Sequence, residues 1–292
     1  MFEGFERRRI ETSGTTINLV VGGHGPPLLL LHGYPQTHVM WHQVAPTLAE
    51  RFTLVAPDLR GYGDSGKPPS GEESSNYSKR AMALDNVEVM AELGFDRFRV
   101  AGHDRGGRVS YRLALDHPDK VERLALLDIV PTWDQLEQMD IGSAYGTFHW
   151  YFLGQAPGFP EKLISADPEF VFRYLIGQWS GTPDPFAPEA MAEYLRCYSD
   201  PETIRATCDC YRNNPAADYL HDNADVKAGR KIMCPVLVLW GMDGRFHKAQ
   251  GTLETWKRWA SDVTGRGLPC GHFLAEELPG ETAQALVEFF GP

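Results

Sequence analysis

Asp104 stands in Gly102-His103-Asp104-Arg105-Gly106, where a short apolar run ending at Ala101 meets a helical stretch closed by Pro118. This is the G-x-S-x-G pattern of a nucleophile turn, with a carboxylate in place of the hydroxyl. The glycines have a steric reason, because a strand turning sharply into a helix brings backbone segments too close for a Cβ. The helix start adds N–H groups and a positive dipole end that suit an anion. A carboxylate presented in this way can attack carbon and form an ester. Hydrolysing that ester calls for a general base. Of ten histidines, His272 in Gly271-His272-Phe273 lies after the last predicted strand and before the last helix, as the chain order nucleophile, acid, histidine requires. Two aspartates end predicted strands and could orient it: Asp128, after 124–127, and Asp243, in Gly241-Met242-Asp243-Gly244 after 236–240. Arg105 is adjacent to Asp104 and Arg108 is one helical turn on, so two guanidinium forks flank the carboxylate. They favour its ionised form, and they suit an anionic substrate.

The elements that must position these residues read as short apolar runs alternating with helical stretches, which describes a mostly parallel sheet covered on both faces. Buried strands are expected at 27–31, 53–56, 98–101, 124–127, 236–240 and 263–268, with 17–21 as an antiparallel edge strand. Helices are expected at 41–51, 77–93, 106–117, 251–259 and 282–290. Between about Pro131 and Lys231 the strand rhythm stops and the chain becomes rich in aromatics and prolines. This segment reads as a helical cap over the carboxyl edge of the sheet, where α/β proteins place their ligands.

The strand entering His32-Gly33-Tyr34-Pro35, the loop Asp58-Leu59-Arg60-Gly61-Tyr62-Gly63-Asp64-Ser65 and the two motifs around Asp104 and His272 together resemble the α/β-hydrolases. The expected fold is therefore α/β, an α/β-hydrolase fold with a mostly parallel eight-stranded sheet and a helical cap inserted after strand 6. The expected division is 1–131 and 230–292 for the core and 132–229 for the cap. More narrowly, His103-Asp104-Arg105-Gly106-Gly107-Arg108, Asp128, His149-Trp150, Asp209-Cys210-Tyr211-Arg212 and Gly271-His272-Phe273 resemble the haloacetate (fluoroacetate) dehalogenases along essentially the whole chain. The resemblance implies hydrolysis of short 2-haloacids, with Asp104 as nucleophile, His272 as base and Asp128 as its acid. It further implies Arg105 and Arg108 on the substrate carboxylate, and His149, Trp150 and Tyr211 on the departing halide. An indole N–H, an imidazole N–H and a phenol O–H can converge on such an anion as its charge develops. Tyr219 could replace Tyr211, and Trp179 could add a wall or belong to the core. Backbone N–H groups near Tyr34 and Arg105 would hold the oxyanion. No metal or organic cofactor is implied, and a homodimer is.

Composition limits the alternatives. With 292 residues and 42% apolar side chains the chain can bury a large core. A net charge of -11 argues against nucleic acid or an anionic membrane as partner. Five cysteines in no framework spacing point to a reducing compartment, and with no apolar run of membrane length a cytoplasmic protein is expected. Epoxide hydrolysis is the nearest alternative, because it also uses an Asp nucleophile and a His base. It needs acid donors for the ring oxygen, usually two cap tyrosines, and Tyr145, Tyr151, Tyr194, Tyr198, Tyr211 and Tyr219 keep that reading open. The Arg pair speaks against it. A binding protein that kept the fold without turnover would not need Asp104, Asp128 and His272 together.

Overall fold

A computed structural model describes residues 1–243 and 251–291. Eight strands form one sheet: β1 (Glu6–Glu11), β2 (Thr16–Gly23), β3 (Pro27–Leu31), β4 (Thr53–Pro57), β5 (Phe98–His103), β6 (Val121–Leu127), β7 (Val236–Gly241) and β8 (Val263–Leu268). Their order is β1-β2-β4-β3-β5-β6-β7-β8, with β1/β2 and β2/β4 antiparallel and the remaining pairs parallel. Leu28 to Leu31, Val100 to His103 and Leu124 to Leu127 are buried throughout, as strands covered on both faces must be.

The register decides which strand ends meet. Leu31 pairs with Gly102, and His103 pairs with Leu127, so His32, Asp104 and Asp128 leave the sheet side by side. The helices follow in chain order. The first three are α1 (Ala45–Ala49), α2 (Lys79–Glu92) and α3 (Asp104–Asp116). Eight more lie between β6 and β7: α4 (Thr132–Glu137), α5 (Ile141–Gly146), α6 (Phe148–Leu153), α7 (Phe159–Ala166), α8 (Pro168–Trp179), α9 (Pro188–Tyr198), α10 (Pro201–Arg212) and α11 (Tyr219–Ala228). The last three are α12 (Thr252–Trp259), α13 (Leu274–Glu277) and α14 (Pro279–Phe290). Proline opens α8, α9 and α10 at their first position, where its missing N–H costs nothing. Asp167 and Asp200 cap two of them through the N–H groups of Phe170 and Glu202. No described helix is long and apolar enough to cross a membrane.

The helices inserted after β6 are tied to the core by buried charge. Arg112 of α3 bonds Asp222 at 2.9 Å and Asp225 at 2.5 Å on α11, and Lys79 of α2 reaches Asp218 at 3.0 Å. Tyr111 adds a hydroxyl bond of 2.7 Å to Asp222.

Two expectations are corrected. The strand at 17–21 is not the edge, because β1 pairs along its whole length and takes that place. The sequence ERRRIE buries only Ile10, so it shows neither apolar alternation nor a buried run, and a charged edge strand of this kind resists recognition. The helix expected at 41–51 is a 3-10 turn, His38–Trp41, followed by the five-residue α1, with Pro46 in the first turn of α1. Proline has no N–H to continue a helix through that point.

Candidate active site

The turn after β5 holds Asp104 at φ +47°, in the left-handed region that a side chain rarely adopts. Its glycines meet the steric demand anticipated for them. A Cβ on Gly106 would lie 2.4 Å from the carbonyl oxygens of Leu31 and His32, and one on Gly102 2.5 Å from the Gly106 carbonyl. Gly33 of the neighbouring turn has the same constraint, since its Cβ would fall 2.5 Å from the Cβ of Asp104. That close approach lets the Tyr34 N–H donate to Asp104 Oδ1 at 2.8 Å. Oδ2 faces His272, 3.9 Å from Nε2. Burial alone would raise the Asp104 pKa. The Arg105 guanidinium, the two neighbouring histidines and the Tyr34 N–H outweigh it and hold the carboxyl well below the usual carboxylate range.

His272 Nδ1 lies 2.5 Å from Asp128 Oδ2, and the other oxygen of Asp128 accepts the Gly241 N–H at 2.9 Å. Asp128 is therefore fastened by β7 on one side and presented to the imidazole on the other. Asp243 is exposed, and its N–H bonds the Cys270 carbonyl, so of the two aspartates it is Asp128 that meets the imidazole. The His272 loop is held by contacts that no sequence motif announced. A ring nitrogen of His103 bonds the His272 carbonyl at 2.7 Å, and the His272 N–H donates to the Trp179 carbonyl at 2.9 Å. Glu277 gathers the N–H groups of Gly271 and Phe273 together with those of Gly181 and Thr182, at 2.8 to 3.1 Å. One carboxylate thus locks the histidine loop to the end of the α8 segment.

Arg105 is fully buried. Its Nη1 donates to Asn214 Oδ1 at 2.7 Å, while Nε and Nη2 have no hydrogen-bond partner among the described residues. Its guanidinium lies 4.0 Å from the ring centre of Tyr211 and 5.0 Å from that of Trp150. Arg108 lies 4.5 Å from the Trp150 ring, and its Nη1 donates to the Val130 carbonyl and the Thr132 hydroxyl. Burial, and Arg105 beside it, push the Arg108 pKa down. Burial pushes His149 down to about 3, so it is neutral at physiological pH. Tyr211 is fully buried, and its hydroxyl has no hydrogen-bond partner among the described residues. Tyr219, the alternative, sits at the surface with its hydroxyl on Glu137.

A pocket of about 440 Å³, counted to its open mouth, is lined by Asp104, Arg108, Asp128, His149, Trp150, Trp179 and His272, with Ile129, Val130, Gln135 and Thr147. Arg105 and Tyr211 pack against Trp150 of this lining. Trp179 is both wall and core, with its ring 4.6 Å from His149 and 5.9 Å from His272. Asn214, Thr132 and Glu277 support the site and were not singled out by the sequence. Their side chains act from elements whose proximity the sequence does not spell out. Among the described residues, no group of three or more His, Cys, Asp or Glu could hold a metal ion.

A family model for the alpha/beta hydrolase fold matches residues 26–279. A fluoroacetate dehalogenase from a Burkholderia species is 46% identical over 290 residues, covering 99% of this chain and 95% of the relative. A soluble epoxide hydrolase from Corynebacterium sp. (strain C12) is 37% identical, covering 96% of this chain and 95% of the relative. The crystal structure of an alpha/beta hydrolase from Nostoc sp PCC 7120 superposes with a TM-score of 0.97 at 53% identity, over 100% of this chain and 99% of that one.

Proposed function

The chain belongs to the α/β-hydrolase fold family, and from that premise we propose that it hydrolyses the carbon–halogen bond of short 2-haloacids such as fluoroacetate and chloroacetate. The observation that carries this reading is a buried, ionised Asp104 beside two buried guanidiniums, neither of which pairs with a carboxylate of a described residue. Guanidinium donors without a hydrogen-bonded carboxylate suit the carboxylate of a haloacid.

Asp104 Oδ2 attacks the carbon that bears the halogen. The carbon–oxygen bond forms as the carbon–halogen bond breaks with inversion, and the halide leaves with the bonding pair. Arg105 and Arg108 hold the substrate carboxylate, and His149, Trp150 and Tyr211 donate to the departing halide. The ester carbonyl oxygen is Oδ1, already on the Tyr34 N–H, with the Arg105 N–H as its second donor. His272 then takes a proton from water, and the hydroxide adds to the Asp104 carboxyl carbon. Collapse expels the 2-hydroxyacid oxygen, which takes that proton, and Asp104 keeps one oxygen from water and releases water's second proton to solvent as it returns to the carboxylate. Asp128 holds the imidazole in the tautomer with its proton on Nδ1 and stabilises the imidazolium. The reading treats 132–229 as the cap on a core of 1–131 and 230–292, and it needs no cofactor. It places the protein in the cytoplasm as a homodimer, to be checked by light scattering of the purified enzyme.

Epoxide hydrolysis is the second reading, favoured by the Corynebacterium relative. The tyrosines tell against it. Tyr145 and Tyr151 point to solvent, Tyr194 is bonded to Glu276, Tyr198 to Tyr34 and Tyr219 to Glu137, which leaves Tyr211 alone where two acid donors are needed. Purified enzyme incubated with chloroacetate and fluoroacetate should release halide and glycolate, and Asp104→Ala should release neither. Hydrolysis of an epoxide without halide from either acid would reverse the assignment.

A further inference from the structure

Four arginines are buried among the described residues, and they fall into two groups. Arg60 is paired with Asp85 at 2.6 Å, and Arg112 with Asp116, Asp222 and Asp225 at 2.5 to 3.0 Å. Arg105 and Arg108 are as deeply buried, yet every hydrogen-bond acceptor they have is neutral: the Asn214 carboxamide, the Val130 carbonyl and the Thr132 hydroxyl. Arg108 and Arg112 lie one turn apart on α3, so the difference follows from what is set opposite them rather than from the helix. Asp104 is the nearby counter-charge of Arg105, but no described carboxylate hydrogen-bonds either guanidinium, and a chain that supplies aspartates to Arg112 could supply one here. Asn214 differs from aspartate by one NH2 for one oxygen. It follows α10 in the turn Asn214–Asp218 and is buried, with its own Nδ2 unpartnered among the described residues.

We propose that Asn214 is a specificity-determining positioning residue: it orients Arg105 through a neutral acceptor and so leaves that guanidinium's charge for the carboxylate of the substrate. The proposal rests on the haloacid reading above. A carboxylate at position 214 would satisfy Arg105 internally, and the site would then lose its demand for an anion while keeping nucleophile, base and halide donors unchanged. The residue touches no reacting atom, so its effect belongs in KM and in discrimination between charged and neutral substrates.

The test compares wild type, Asn214→Asp and Asn214→Ala on chloroacetate and on its neutral isostere chloroacetamide. Asn214→Asp should raise KM for chloroacetate by about 10- to 100-fold, the range expected for a charged hydrogen-bonding partner. kcat should stay within a few-fold, and the preference for acid over amide should fall by the same factor. Asn214→Ala removes the acceptor without adding a negative charge, so KM rises by less and the preference for the acid survives. An unchanged preference in Asn214→Asp, or an equal loss of preference in Asn214→Ala, overturns the proposal. If Asn214→Asp fails to fold, the alanine variant still decides, because loss of its preference would mean a structural role only. Glycolate and glycolamide binding by calorimetry reads the same contrast without turnover. Glycolate binding that Asn214→Asp abolishes supports the proposal even if wild type releases no halide, which would count against the haloacid reading alone. Wild-type affinity equal for the two ligands overturns the proposal.

Discussion

Replacing Asp128 by asparagine should separate the two halves of the reaction. Asp128 has two fixed partners: one oxygen accepts the Gly241 N–H at 2.9 Å, and the other lies 2.5 Å from His272 Nδ1. An asparagine must keep its carbonyl on Gly241, because its NH2 cannot accept that N–H. The NH2 then faces the imidazole and makes Nδ1 an acceptor, which moves the ring proton to Nε2. Nε2 is the atom 3.9 Å from Asp104 Oδ2 that has to take the proton of water. The wrong tautomer costs on the order of 10³ to 10⁴ in turnover, or about 4 to 5.5 kcal/mol. Displacement of halide does not involve His272 as a base, so the first turnover should survive. A rapid-mixing assay with chloroacetate should show about one halide released per active site, followed by near arrest. Mass spectrometry should find a carboxymethyl ester on the peptide that carries Asp104. Steady-state release within tenfold of wild type, or arrest with no burst and no ester, would refute the assignment of Asp128 and His272 to the second step.

Tyr211→Phe removes a buried hydroxyl that has no hydrogen-bond partner among the described residues, so the fold should be unharmed or slightly stabilised. Fluoride release should nevertheless fall by roughly 10- to 100-fold, with a smaller loss for bromide, the better leaving group. A melting temperature that drops along with activity would place Tyr211 in the packing instead. Glu276 is buried against Tyr194 and Gln36 beneath the Tyr34 turn, and burial pushes its carboxyl up to about 8 although the Tyr194 and Gln36 hydrogen bonds oppose the shift. The folded chain thus binds this proton more tightly than the unfolded one, whose value is 4.5. Its contribution to stability is full below that value and is lost as pH rises through about 8. Glu276→Gln should flatten this decline in denaturant melts compared at pH about 6 and about 9, and parallel curves for the two proteins would exclude the effect.

The sequence by itself determined the features whose cause is local. The Asp104 turn could be recognised because each of its glycines answers a clash within a few residues of chain or with the neighbouring strand end, and such clashes leave a compact signature. The buried strands were legible because burial on both faces requires an unbroken apolar run, and β1 was not, because an edge strand needs none. What only tertiary structure decided were choices between equivalent candidates. Asp128 and Asp243 each follow a strand, and the difference is that Asp128 reaches both Gly241 and His272 while Asp243 turns to solvent. Tyr211 and Tyr219 flank one irregular turn and point to opposite environments, one against Arg105 and the other to Glu137 at the surface. Whether a buried arginine is neutralised was equally hidden. Arg108 and Arg112 share a helix, and what each meets across the interface is chosen by residues about a hundred positions away or more in the case of Arg112, and by the neighbouring loop in the case of Arg108. Charge at such a site is a property of through-space pairs, and the order of strands in the sheet and the seating of the inserted helices decide which pairs form.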